Sequence, residues 1–122
     1  MNSSGHTQTY AGLDAASNRF AHAMRALRLN QGDRIAILLP NHPRYLEIVW
    51  GAQRSGLYYV PVNHHLRPAE TAYVLEDCGA RLLVGTADLI GAIADRTPWA
   101  GPAQVVVLDG DPPPGAHRYD DL

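Results

Sequence analysis

Apolar residues recur along this chain with two alternating rhythms. In LDAASNRFAHAMRAL, positions Leu13, Ala16, Phe20, Ala23, Met24 and Leu27 fall on one stripe at helical spacing. The turn NQGD follows, and then RIAILL, Arg34 to Leu39, is a short apolar run ended by Pro40, which predicts a buried strand. Asn41 is placed to cap a second helix, with Pro43 near its first turn, where a missing N–H costs little. That helix runs through RYLEIVWGAQRS to Gly56, a natural stop. LYYVPV reads as a second strand from its aromatic and β-branched content. RPAETAYVLEDC predicts a third helix, with Pro68 near its first helical position and Gly79 as its stop. RLLVGT is a third strand, ADLIGAIADRT a fourth and weaker helix, and AQVVVLDG, Ala103 to Gly110, a fourth strand. The tail DPPPGAHRYDDL, residues 111–122, reads as a Pro-rich loop.

Strands separated by helical segments of roughly 10–15 residues imply parallel pairing through crossovers. Strands of that kind are covered on both faces, which accounts for runs that are continuously apolar rather than alternating. The predicted architecture is therefore α/β, a three-layer helix–sheet–helix arrangement on a parallel sheet. The 122 residues suffice for one domain, and no internal repeat divides them.

Composition narrows the function classes. A hydrophobic fraction of 46% is ordinary for a globular protein, and a net charge of -2 gives no electrostatic reason to expect nucleic acid or an anionic membrane as partner. The single cysteine, Cys78, cannot form an internal disulfide. No apolar run approaches the roughly 20 residues of a transmembrane span, and MNSSGHTQTY lacks the features of a signal peptide. The expected location is the cytoplasm.

Ligands of open α/β sheets gather beyond the carboxyl ends of the strands. There the chain places PNHPR, NHHLRP, GTAD and DGDPPPG, none of which is a Gly-rich phosphate cradle or a nucleophile elbow. His42, His64 and His65 all fall on this rim. Adjacent residues of an extended chain point apart, so His64 and His65 are poorly placed to share an ion, and neither a cysteine nor a carboxylate stands beside them at ligand spacing. Ordinary loop histidines are the better reading than metal ligands or a general base. Cys78, with two acids before it, reads as structural rather than nucleophilic. Asp109 and Asp111 resemble half a calcium loop, but the remaining ligands are missing and turn chemistry explains them better. Tyr45, Trp50, Tyr58 and Tyr59 have the spacing of residues packed against a sheet rather than of an aromatic platform. Read from these residues alone, the chain has a fold and no catalytic, cofactor-binding or metal-binding residue.

An ordered set of residues nevertheless carries a resemblance. It comprises Thr9-Tyr10 with Leu13, Asn18-Arg19, Gly32-Asp33-Arg34, Pro40-Asn41, Gly56, Pro61-Val62-Asn63, Leu66, Pro68 and Glu70. Together they resemble the N-terminal subdomain of the adenylate-forming superfamily, in its fatty acyl-CoA synthetase branch, from Thr9 to about Leu108. The resemblance implies an incomplete subdomain over residues 9–110, preceded by a disordered or truncated start at 1–8. It implies ATP, Mg²⁺ and coenzyme A as cofactors of the full-length enzyme, with none held by this chain. It implies a small carboxylic acid as substrate and the remainder of the synthetase as partner. The family's Ser/Thr/Gly-rich loop, its aromatic-Gly-x-Thr-Glu segment, its ribose-binding aspartate and its catalytic lysine match no position here. By the same resemblance NHHLRP is a strand exit turning into a helix, with Asn63 bonding the backbone and His64 and His65 doing no chemistry. Gly12 stands where a glutamate would complete a capping box with Thr9, and Arg28 stands where glycine usually ends the first helix. Arg28 must then adopt a left-handed conformation at about 1 kcal/mol, or the helix must end differently. The expectation is a fragment, inactive alone, with uncovered surfaces that favour self-association or a partly molten state. A non-catalytic docking module and one half of a split synthetase remain open alternatives.

Overall fold

The structure, a computed structural model, describes residues 10–40, 42–96, 104–112 and 116–122. Five parallel strands form one sheet in the order β2-β1-β3-β4-β5. They are β1 Arg34–Leu38, β2 Tyr58–Pro61, β3 Leu82–Thr86, β4 Gln104–Leu108 and β5 His117–Arg118. The helices are α1 Tyr10–Ala26, α2 Tyr45–Arg54, α3 Pro68–Asp77 and α4 Ala87–Arg96.

The three layers follow from the pleat of the strands. Ile35, Ile37, Leu39, Leu82, Val84, Val106 and Leu108 point to one face and pack with Phe20, Ala23 and Met24 of α1 and Ile48, Val49 and Ala52 of α2. The alternate residues Ala36, Leu38, Leu83, Val105 and Val107 pack with Ala72 and Leu75 of α3 and Ile90 and Ile93 of α4. Each central strand is apolar throughout because successive side chains enter different cores. The strand β2, outermost among the described residues, departs from this rule: none of its residues is fully buried, and Pro61 sits where an edge position tolerates a missing donor.

Helix ends confirm several local expectations. Gly56 and Gly79 adopt φ of +74° and +70° just past α2 and α3, and Pro68 opens α3. Arg28 takes φ +67°, so of the two outcomes open for a helix end without glycine the chain adopts the strained, left-handed one. Next to it the Leu29 N–H reaches the Met24 carbonyl at 3.0 Å, closing the end of α1. The start of α2 differs from expectation. The helix begins at Tyr45 after Arg44, so Pro43 lies outside its first turn, and no side chain of Arg44 caps it. Asn41 and Thr9, offered as caps, lie outside the described residues.

Two further corrections concern the sheet's margins. Residues 116–122, read as part of a loop, contain β5, which pairs Val106 with His117 and Val107 with Arg118, and a 3₁₀ turn at Tyr119–Asp121. Local composition hid this because a two-residue strand has no period of its own and is held by β4. Tyr58, assigned to the core, is 66% exposed. It lies on β2, the outermost strand of the described sheet, whereas Tyr45, Trp50 and Tyr59 pack against the α1/α2 core as expected.

The contact of α1 with α2 depends on Gly51. A Cβ there would lie 2.8 Å from the Ser17 carbonyl oxygen and 2.7 Å from Phe20 Cδ2. Alanine would raise helix propensity by about 0.8–1 kcal/mol. Overpacking against a backbone carbonyl that cannot rotate aside costs about 1–3 kcal/mol. Gly51→Ala is therefore expected to destabilise the domain on balance, and chemical denaturation of the two proteins reads the sign directly.

Candidate functional site

The loops that leave the carboxyl ends of β1 and β4 meet at His42. Its Nδ1 accepts the backbone N–H of Arg44 at 3.1 Å, so that nitrogen carries no proton. Its Nε2 stands 2.7 Å from Asp109 Oδ2 and donates to it. With both ring nitrogens engaged, the imidazole has no lone pair for a metal and no free base for a substrate. Asp109 itself adopts φ +55°, the left-handed turn conformation that aspartate tolerates. His42 and Asp109 are thus brought together, but as a structural bracket.

The other rim residues serve their own turn. Asn63 Oδ1 accepts the His65 N–H at 2.9 Å, the backbone bond expected of it. His64 and His65, expected to point apart, have ring centroids 4.0 Å apart because the chain turns there instead of running extended. Among the described residues no three His, Cys, Asp or Glu side chains are grouped to hold a metal. Glu70 accepts the Arg67 N–H at 3.1 Å and so supports the start of α3. Cys78 is half-buried, with Sγ 3.6 Å from the Leu75 carbonyl.

Beside His42 lies a cluster that reading the residues did not pick out. Arg44 places its Nη1 3.6 Å from Glu47, its Nη2 3.7 Å from Asp120, and its guanidinium 5.2 Å above the Tyr119 ring. Glu47 is only 4% exposed, and the Tyr119 hydroxyl donates to its carboxylate. The Tyr119 ring also stacks on Phe20, with centroids 6.1 Å apart. One sequence signal was available: helical spacing puts Glu47 one turn before Gly51, on the buried side of α2. The partner could not be inferred, since Tyr119 stands 72 residues away.

Two shallow openings flank this cluster. One, of ≈ 180 Å³, is lined by Arg19, Phe20, Arg44, Glu47, Tyr119 and Asp120 among others. The second, of ≈ 210 Å³, follows β4 and is lined by Asp109, Asp111 and Asp120 against Arg44 and Arg118. Both arginines of this groove are already paired with carboxylates, Arg118 with Asp111 at 3.1 Å and Arg44 with Glu47 and Asp120. At the end of β3 the Thr86 hydroxyl is buried and makes no hydrogen bond of ordinary geometry. It still acts on Asp88, whose carboxyl is held below its usual range chiefly by that hydroxyl.

Burial raises the Tyr119 hydroxyl well above its ordinary value, and the Glu47 carboxylate adds to this while Arg44 opposes it. Burial also raises Tyr45, with Tyr59 contributing. A phenol that holds its proton more tightly when folded stabilises the fold fully below about pH 10, the unfolded value. Above that the unfolded chain sheds a proton that the folded one keeps. For Tyr119 stability is expected to fall by up to about 1.4 kcal/mol per pH unit there, with Tyr45 acting in the same direction. Urea midpoints measured from pH 9 to 11.5 test this, and Tyr119→Phe should lessen the slope.

Comparison with known proteins places these elements in context. The model of the family described as AMP-binding enzyme matches residues 1–121. The fatty acid–[acyl-carrier-protein] ligase ScoC of Streptomyces coeruleorubidus is 41% identical over 104 residues, which is 85% of this chain and 20% of that protein. A feruloyl-CoA synthase of Amycolatopsis is 36% identical over 122 residues, covering 97% of this chain and 25% of the relative. The structure of a benzoate CoA ligase from Burkholderia xenovorans LB400 superposes with a TM-score of 0.82 at 26% identity, over 99% of this chain and 24% of that one. The chain thus spans about a fifth to a quarter of the length of the proteins it matches.

Proposed function

This chain belongs to the AMP-binding enzyme family, and from that premise we propose that it forms part of an ATP-dependent acyl-CoA synthetase. The observation that supports the reading is the family match along nearly the whole chain, joined to a parallel sheet whose neighbours are CoA ligases. In such an enzyme a fatty or other carboxylic acid displaces pyrophosphate from ATP, and the acyl-adenylate then gives its acyl group to the thiol of coenzyme A. We assign residues 9–110 to the N-terminal subdomain of that synthetase, with β5 and Tyr119 extending it, and place the protein in the cytoplasm. Among the described residues no helix is long and apolar enough to cross a membrane.

The residues present do not by themselves fit ATP and Mg²⁺. Adenylation requires positive charge against the phosphates and an in-line carboxylate. All ten basic residues of the chain other than histidine are arginine, so it contains no lysine at all. The groove beyond β4 carries three aspartates, and both of its arginines are taken by carboxylates, an environment that repels a polyphosphate. The chain's own contribution is scaffold: it builds the sheet and fixes the loops at its carboxyl edge. It is inactive alone and completes a site only with the rest of a synthetase. The edge strand β2, with Tyr58 exposed, is the surface through which the isolated chain self-associates.

The experiment joins this chain to the feruloyl-CoA synthase in place of the matching segment and measures pyrophosphate release with ATP and aromatic or fatty acids. Release by the chimaera, none by the chain alone, and light scattering above monomer mass for the chain alone are expected. A folded but silent chimaera would count against the scaffold assignment, and turnover by the isolated chain would overturn its inactivity.

A further inference from the structure

We propose that copies of this chain assemble head to tail, the outer row of α1 in one copy docking on the outer row of α3 in the next. The two helices cover opposite faces of the sheet: α1 packs with Ile35 and Val84, and α3 packs with Leu83 and Val107. The outward side of α1 carries Arg19, His22 and Arg25, all exposed, and no acidic residue occurs between Asp14 and Asp33. The outward side of α3 carries Glu70, Tyr73 and Glu76, also exposed, and α3 contains no basic residue. Among the described residues no carboxylate pairs with Arg19 or Arg25, and no basic side chain pairs with Glu70 or Glu76. Glu70 uses one oxygen on the Arg67 N–H, which leaves the other available.

The two rows match in spacing as well as in charge. Each runs i, i+3, i+6, so its end charges are separated by a rise of about 9 Å and its middle position is a ring. Arg19 and Arg25 of one copy therefore stand opposite Glu70 and Glu76 of the next, with His22 against Tyr73, which is 69% exposed. Rows at that spacing run obliquely to the helix axis, so the helices meet steeply crossed and the contact is confined to the rows themselves. A contact of that size, made of exposed ion pairs, is weak and is screened by salt. The basic and acidic rows lie on opposite faces of the sheet, so each contact leaves one free row of each kind. The assembly therefore extends instead of closing as a dimer. A lipid surface fits the basic row less well, because among the described residues no large apolar side chain of α1 is exposed to enter it. The contact differs from pairing at β2 in depending on charge, and it concerns the chain's own surfaces, apart from the synthetase reading.

Sedimentation equilibrium of the whole chain at about 20 mM and about 300 mM salt tests the contact. The apparent association constant is expected to fall about tenfold at the higher salt, and the mean mass at low salt to rise past the dimer with concentration. Arg25→Glu and Glu76→Arg each set like charges across the contact, and each alone should lower the association constant about tenfold. Each variant keeps one native row, so an equimolar mixture should regain the mass that neither reaches alone. Both positions are exposed, and far-UV circular dichroism checks that the variants fold. The salt response of the native chain stands without them. A native chain that is monomeric at low salt, association indifferent to salt as backbone pairing at β2 would give, a ceiling at the dimer, or a mixture no heavier than its components would each overturn the proposal.

Discussion

Phe20→Ala is expected to lower the unfolding free energy by about 3–5 kcal/mol, a large share of the 5–15 kcal/mol typical of a domain. Phe20 is 2% exposed at the centre of the α1/α2 core. It meets α2 at the one helical position that carries no side chain, Gly51, and it stacks on Tyr119. Removing the ring leaves a hole that Gly51 cannot fill and Tyr119 reaches from one side only. The cost should therefore lie near the upper part of that range, because neither of these neighbours can close the hole. Urea denaturation followed by far-UV circular dichroism measures it, with Phe20→Leu as a milder control. A loss below about 1 kcal/mol would mean that α1 and α2 are not packed as described.

Tyr119→Ala should cost a similar amount, about 3–5 kcal/mol, for a different combination of reasons. The ring covers Phe20, lies beneath the Arg44 guanidinium, and carries the hydroxyl that donates to the buried Glu47. Tyr119→Phe separates these parts. It keeps the stacking and removes only the donor, leaving a carboxylate that is 4% exposed short of one partner, at about 1–3 kcal/mol. Equal effects of the two substitutions would assign the whole contribution to the hydroxyl. No effect of either would show that residues 116–122 contribute nothing to the fold. Phe20 and Tyr119 are in contact, so the double variant should lose less than the sum of the single ones.

The fold class was legible because it rests on local rhythm. Helical spacing in α1 and continuous apolar runs in β1, β3 and β4 follow from which faces are buried, and burial leaves its period in the sequence. The helix stops at Gly56 and Gly79 were equally readable, since each involves only a few neighbouring residues, whereas the turn bond of Asn63 and the unusual end of the first helix at Arg28 came from the family resemblance. The margins were less so. Tyr58 has the composition of a core strand residue but lies on an edge, and β5 is too short for any periodicity.

What the sequence determined on its own is the alternation of helix and strand, the burial of the central strands on both faces, and the family to which the chain belongs. Only the tertiary structure decided the strand order β2-β1-β3-β4-β5, the bond from His42 to Asp109 across 67 residues, and the pairing of Glu47 with Tyr119. The physical reason is range. Backbone conformation and burial are set by near neighbours and leave a periodic trace, whereas which distant polar groups meet depends on which loops the packed sheet carries to the same edge, and that leaves no trace in either partner alone.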